Sequence, residues 1–481
     1  MGLILNFIHE YYISIAAVLH ALIAVTLTMH ILLFKEDVKS SIGWIALVLF
    51  SPILGGILYI ALGINRVRRK AMRLRGRASE TEFKGLSEKF EKLKDKLTVH
   101  EMQFIRLGLS IHPHIMQKGH TIEPLIDGDQ AFPAMCNAIK NAKKEVLLCS
   151  YIFLTDKAGL MFIEACKEAA AKGVKVYILI DGVGSPWRPG DIRRRVKGIK
   201  NIKLAIFQPS LTPFTLPFMN LRNHRKIMVV DGETAFFGGI NISEDNLIKE
   251  KLKKHRHDIH FEVKGPVVKD IAKLFEDDWN FTTKEKFKAY HAQEDYRDTN
   301  FYCRLIPDGP DENYGKIELL MLGIINSATE SISIITPYLL PDNTILKNLE
   351  IASMRGVDVS IIIPEKSDNW FMDYPIQSYF ERLLRKGINV YLTPEPFDHS
   401  KVMIADGMWS TVGSANWDER SFKLNYEANI ECLSKTFAAK LTQYFENKRK
   451  KARKLELKEV ENYSLFKRLR NNAFRLLSPY L

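Results

Sequence analysis

Cysteine is scarce in this sequence and unpaired in its pattern. The five cysteines among 481 residues, Cys136, Cys149, Cys166, Cys303 and Cys432, include no Cys-x-x-Cys. No disulfide framework or structural zinc site is therefore expected, and no metal or cofactor site. Formal charge is missing from two long runs, residues 11–34 and residues 40–64. As a helix each would extend about 36 Å at ~1.5 Å per residue, enough to cross a hydrocarbon core of roughly 30 Å. A basic segment ahead of the first run is also absent, and Glu10 abuts it, which argues against a cleaved signal peptide. Two retained transmembrane helices are expected. A re-entrant hairpin on one leaflet and the buried helical hairpin of a soluble protein are the alternatives. Acids are absent from the stretch that follows, which carries Arg66, Arg68, Arg69, Lys70, Arg73, Arg75 and Arg77, whereas Lys35 and Lys39 between the runs are offset by Glu36 and Asp37. By the positive-inside rule, this predicts a multi-pass protein of the inner (cytoplasmic) cell membrane with its bulk facing the cytoplasm.

The remainder is composed like a folded protein of two or three domains. Its 46% hydrophobic and 26% charged residues exclude wholesale disorder and a collagen-like repeat, and the net charge of +13 points to anionic partners, nucleic acid or an acidic membrane face. Phe83, Leu86, Phe90, Leu93 and Leu97 recur at helical spacing, as a connector or a surface helix packed on the next domain. Beyond it the sequence repeats. VLLCSYIF (Val146 to Phe153), a helical stretch from Ala158 to Ala171, Gly173 and VKVYILID recur as ISIITPY (Ile332 to Tyr338), Thr344 to Met354, Gly356 and VDVSIIIP. Strand, helix, glycine, strand is the pattern of parallel-rich α/β domains, here twice.

Each copy ends in one phrase, NHRKIMVVDG at Asn223 to Gly232 and DHSKVMIADG at Asp398 to Gly407. Strand alternation places His224, Lys226 and Met228 on one face, and likewise His399, Lys401 and Met403. Asp231-Gly232 and Asp406-Gly407 are hairpin turn pairs, returning the chain antiparallel into small-residue segments that carry Asn241 and Asn416. Two imidazoles, two ammoniums and two amides suit a phosphodiester. One histidine would attack phosphorus while the other protonates the leaving alcohol and then deprotonates the acceptor; lysines and asparagines would hold the phosphate oxygens. The remaining nitrogen of each histidine needs a partner. Asp258 in HRHDIHFEV and Glu427 in LNYEANIE, each shortly downstream of its motif, are the candidates.

The doubled His-x-Lys-x-x-x-x-Asp phrase resembles the phospholipase D superfamily, and the two apolar runs, GSANWDERSF and the terminal RLLSPYL resemble bacterial cardiolipin synthases over nearly the whole chain. The resemblance implies metal-free transfer of a phosphatidyl group between two phosphatidylglycerols. It makes His224 the nucleophile, His399 the general acid and base, Lys226, Lys401, Asn241 and Asn416 phosphate ligands, and Asp231 and Asp406 supports of the surrounding fold. One departure is His257 beside Asp258, where Arg is more usual. The expected fold is α/β: two similar phospholipase D-like domains with mixed sheets flanked by helices, related by a pseudo-twofold and preceded by two transmembrane helices. The expected boundaries are an anchor over 1–77, an amphipathic linker over 78–117, and domains over 118–295 and 296–481. Expected partners are phosphatidylglycerol and anionic membrane lipids, not nucleic acid. A hydrolytic phosphodiesterase and a non-catalytic membrane scaffold are the competing classes, and the oligomeric state is not legible. Weaker features are the apolar loop at Phe214, Leu216, Phe218 and Met219, the basic run Lys448, Arg449, Lys450, Lys451, Arg453 and Lys454, which could grip lipid headgroups, and Trp409 and Trp417 beside the second turn.

Overall fold

The computed structural model describes residues 2–35, 37–63, 97–185, 191–208, 221–250, 254–292 and 299–478. The basic juxtamembrane segment, all of the connector before Leu97 and the apolar loop at 214–219 lie outside them. The chain divides into two compact units, the smaller drawn from Met1–Lys70 and the larger from Ala71 onward.

In the smaller unit the first uncharged run forms one helix, α1 (Gly2–Phe34), whose segment Ala16–Phe34 is long and apolar enough to cross a membrane. The second run departs from the expected continuous helix. It breaks at Ser51 into α2 (Val38–Phe50) and α3 (Pro52–Leu58), because Pro52 has no N–H to continue the ladder and Ser51 takes φ −148°, ψ 78°. A side chain at Gly55 would stand 2.6 Å from the Leu47 carbonyl oxygen, so glycine is what lets the turn close. Ala24, Ile31, Val48 and Tyr59 pack inside, while Leu22, Val25, Met29, Leu32, Ile53 and Ile57 remain exposed. Apolar residues facing outward along a helix are what a lipid solvent permits.

The larger unit holds two sheets of one design. Strands β1 (Thr121–Ile126), β2 (Glu145–Ser150), β3 (Lys175–Asp181), β4 (Ile202–Phe207), β5 (Ile227–Val230), β6 (Thr234–Gly238) and β8 (Ile259–Lys264) are ordered β1-β8-β6-β5-β2-β3-β4, with a short β7 (Arg256–His257) outside the sheet. In the second half β9 (Tyr302–Asp308), β10 (Ser331–Ile335), β12 (Asp358–Pro364), β13 (Asn389–Thr393), β15 (Val402–Ala405), β16 (Trp409–Gly413) and β18 (Glu427–Leu433) repeat that order, and β19 (Arg453–Lys454) is added at the β13 edge. Outside it, short β11 (Leu339–Leu340) pairs with β17 (Trp417–Asp418), and β14 (Phe397–Asp398) pairs with β7 of the first half. The expected strand–helix–strand units are β2 to β3 and β10 to β12, parallel in both halves, around helices Lys157–Ala171 and Asn343–Met354. Their apolar residues form a separate core in each half.

Both Asp-Gly pairs turn as expected. Asp231 and Gly232 have φ 53° and 64°, Asp406 and Gly407 φ 50° and 59°, and β5 returns antiparallel as β6 and β15 as β16. Helix Val99–Ile111 opens on a capping box between Thr98 and Glu101. Although it precedes the first half in the chain, it packs Phe104 and Ile105 into the core of the second. Gly108 permits this approach, since any side chain there would strike the buried Arg304–Glu431 ion pair. All five cysteines are free and buried, and Trp409 and Trp417 are core residues.

Candidate active site

The chemistry-bearing residues sit just before the strands. β5 begins at Ile227 and β15 at Val402, so His224, Lys226, His399 and Lys401 occupy the extended lead-ins and only Met228 and Met403 lie in the sheet. Strand alternation therefore places the methionines but not the chemistry. Each lead-in is instead laid against the opposite half. The His224 N–H donates to the Tyr426 carbonyl at 2.9 Å, and the His399 N–H to the His257 carbonyl at 2.7 Å, β14 pairing there with β7.

The next residue after each carbonyl acceptor is a carboxylate, so the orienting partners are exchanged. His224 Nδ1 meets Glu427 at 2.9 Å and His399 Nδ1 meets Asp258 at 2.8 Å. Position along the chain associates Asp258 with the first motif and Glu427 with the second; folding crosses them. Arg225 reinforces the crossing. Fully buried and paired with Asp278 at 2.6 Å, it donates to the Glu427 and Asp308 carbonyls of the second half, each at 3.0 Å.

His224 and His399 line a single cleft of about 370 Å³ together with Asn241, Asn416, Tyr151, Tyr338, Arg256 and Arg420. Lys226 and Lys401 lie buried behind the histidines, each bonded to the carbonyl of the histidine in its own motif, Lys226 at 2.6 Å. Asn241 Oδ1 accepts the Ile152 N–H at 3.2 Å, so its amide orientation is set by backbone. Asp231 and Asp406 stand away from the cleft. Asp231 accepts from the N–H groups of Lys143, Lys144 and Glu145 at 2.8 to 2.9 Å. Asp406 accepts from Thr329, Glu330 and Ser331, and pairs with His100 at 2.6 Å.

Burial governs the electrostatics. It pushes Lys226 down to about 7 against the pull of Glu427, with Lys401 adding to the fall, and Lys401 down to about 8 against the pull of Asp258. Lys401 opposes the charge of Lys226, and the anion of a phosphodiester would favour the charged form of both. The histidine pairs are unequal. Burial holds His224 at about 4 even with Glu427 beside it. Burial would raise Glu427, but His224 and Lys226 bring it below its usual range, so this pair is neutral imidazole and ionised carboxylate. Asp258 is pushed by burial up to about 7 against the attraction of Lys401, while burial and then Lys401 hold His399 well below its ordinary value. That pair keeps its proton to higher pH.

The inequality has a source in the sequence. In the second half Ser414 donates its hydroxyl to Glu427 at 2.5 Å, and Asn425 adds a bond at 3.2 Å. The matching residue of the first half is Gly239, where a Cβ would stand 2.4 Å from Asp258 Oδ1. Asp258 therefore has fewer donors.

Several cleft residues were not singled out by sequence reasoning. Tyr151 stacks edge-on to His224, ring centroids 4.8 Å apart, and Tyr338 stands likewise to His399 at 6.4 Å. Their shared position after β2 and β10, as the tyrosines of CSYIF and TPYLL, is a signal the repeat already contained. Arg256, paired with Asp368 at 2.8 Å, had no such signal. Half of the basic run near the carboxyl end is engaged: Lys448 pairs with Asp398 at 2.5 Å, Arg449 with Glu446, and Arg453 with Glu365 and Glu459. Lys448 thereby braces the second motif instead of reaching outward.

The chain and its fold match known proteins. The family model for the cardiolipin synthase, PLD-like domain matches residues 135–279 and 321–449, and the phospholipase D-nuclease N-terminal model matches residues 22–63. Among the relatives, a cardiolipin synthase of Clostridium perfringens is 30% identical over 93% of this chain and 95% of its own length. The major cardiolipin synthase ClsA of Bacillus subtilis is 30% identical over 98% of both. The solved phosphatidylserine synthase of Haemophilus influenzae shares the fold at TM-score 0.56 and 14% identity, over 75% of this chain and 95% of its own. The chain belongs to the cardiolipin synthase family of phospholipase D-like proteins.

Proposed function

We propose that this cardiolipin synthase moves a phosphatidyl group from one phosphatidylglycerol to another by way of a covalent phosphohistidine. His224 Nε2 attacks phosphorus, the bond to the glycerol oxygen breaks, and His399 gives that oxygen its proton, releasing glycerol. The primary hydroxyl of a second phosphatidylglycerol then attacks phosphorus, returning a proton to His399 as the N–P bond breaks, and cardiolipin leaves. Lys226, Lys401, Asn241 and Asn416 meet the charge on the non-bridging oxygens, so electrostatics and positioning carry the acceleration.

The observation that carries this reading is the reciprocal pairing: two histidines line one cleft, each held at Nδ1 by a carboxylate of the other half. The division of labour is the one the resemblance implies, and the inequality of the pairs supports it. A neutral imidazole beside an ionised Glu427 suits a nucleophile, and a pair that keeps a proton near neutrality suits an acid. Asp231 and Asp406 act on the scaffold, fixing the turn after each motif.

The same reading places two crossings of the inner membrane at the amino terminus, with the catalytic domains cytoplasmic. Supporting it are the apolar length of α1, the outward apolar residues of α1 to α3, and the seven cations of 66–77 without an acid. It keeps an anchor over 1–77, a linker over 78–117 and two like domains over 118–295 and 296–481, supported by the repeated strand order. The test is incubation of purified protein with phosphatidylglycerol labelled separately in the glycerol headgroup and the acyl chains. Cardiolipin and free labelled glycerol in equal amounts support transfer; phosphatidic acid as the main product contradicts it.

A further inference from the structure

Helix Leu465–Arg475 is seated on a mostly polar edge, with Phe474 against the Tyr374 ring, centroids 4.9 Å apart. Asn471 is 2% exposed and donates to Gln377 at 3.3 Å, Arg468 reaches Glu381 at 3.3 Å, and Arg470 lies 4.0 Å over the Tyr374 ring. All three partners belong to helix Trp370–Leu384. Facing solvent are Leu465, Phe466, Leu469, Ala473, Leu476 and Leu477, the five large ones between 48% and 76% exposed. At ~100° per residue they fall within one arc of about 120°. A helix of a soluble protein turns its apolar arc to the core, and this one does the reverse.

Charge says what covers the arc. From Asn462 onward the sequence has no Asp or Glu, whereas Lys467, Arg468, Arg470 and Arg475 are cationic. An apolar face bordered by cations is what a helix lying in the plane of an anionic bilayer presents. The supporting helix also reaches the cleft: Phe371 and Met372 line it, and Trp370 beside them is 65% exposed.

We infer that helix Leu465–Arg475 is an interfacial helix that seats the catalytic body on anionic phospholipid, its apolar arc among the acyl chains and Lys467 and Arg475 toward the headgroups. This inference rests on the substrate being a membrane lipid. The seated helix, through helix Trp370–Leu384, holds the cleft mouth where the substrate headgroups are.

The test uses the full chain in phosphatidylglycerol vesicles, with a polarity-sensitive fluorophore on Leu469→Cys, the native cysteines being buried. Quenching by lipids spin-labelled near the headgroup is expected. In Phe466→Asp/Leu469→Asp, the apparent KM for vesicle substrate should rise on the order of tenfold, while turnover of monomeric dihexanoyl phosphatidylglycerol stays at the parent level. A label that remains in water, or shielding that grows with protein and not with lipid because a second copy covers the face, overturns the inference. Quenching together with an inactive parent on the monomeric substrate would instead count against the proposed reaction and leave the seating supported.

Discussion

His224 Nδ1 lies 2.9 Å from a carboxylate 203 residues further along the chain, that of Glu427, and not from Asp258, the acid that follows its own motif. A carboxylate at that nitrogen fixes the tautomer that leaves Nε2 as the nucleophile. Neither half therefore holds a complete site.

The crossing predicts which reaction step each acid affects. Glu427→Gln should slow formation of the phosphohistidine, and Asp258→Asn should slow protonation of the leaving group, each by ~10- to 100-fold. A donor with a p-nitrophenyl leaving group should restore Asp258→Asn substantially and Glu427→Gln little. Single-turnover kinetics decide it; the opposite pattern would mean that pairing follows chain order.

Acidity and alkalinity should act on different groups. His224, held at about 4, gains nucleophilicity as pH rises through that value. Lys226 and Lys401, at about 7 and 8, lose the charge that binds phosphate as pH rises further, and the Asp258 pair loses its proton at about 7. A profile of kcat/KM should therefore fall on the alkaline side between about 7 and 8, since that parameter reports the free enzyme. A profile still rising there would contradict the buried-lysine account.

Replacing Ser414 tests the inequality of the two pairs. Ser414→Ala removes a donor to ionised Glu427, so Glu427 should hold its proton to higher pH and the acid limb of kcat/KM should move upward. Gly239→Ala should destabilise the fold by ~1–3 kcal/mol, because its Cβ meets Asp258. Thermal unfolding and pH profiles measure the two separately.

Side-chain cations perform the charge neutralisation in this mechanism, so activity should survive a chelator. Assay in excess EDTA is the check. Complete loss, reversed by one specific divalent ion, would contradict it.

The sequence made the repeat legible because strand–helix–glycine–strand is written in local apolar periodicity, and the Asp-Gly turns because both residues adopt positive φ. His224, Lys226, His399 and Lys401 were legible from duplication alone. Their partners were not: exchange of Asp258 and Glu427 depends on backbone pairing between segments 141 and 203 residues apart, which no local pattern encodes. The break at Ser51-Pro52 was available from proline chemistry but was hidden by the uniform apolarity of residues 40–64. Composition did not reveal that Lys448, Arg449 and Arg453 of the basic run have acids to pair with, Asp398 among them.

The central claim is that His224 carries the phosphatidyl group. Brief reaction with phosphate-labelled donor, rapid quenching under alkaline conditions that preserve phosphohistidine, and mapping of the labelled peptide test it directly. Label should be found on His224 in the parent. It should accumulate there in His399→Ala with a p-nitrophenyl donor, and be absent from His224→Ala. Label on His399 in His224→Ala would reverse the assigned roles, and full transferase activity without either histidine would contradict the mechanism itself.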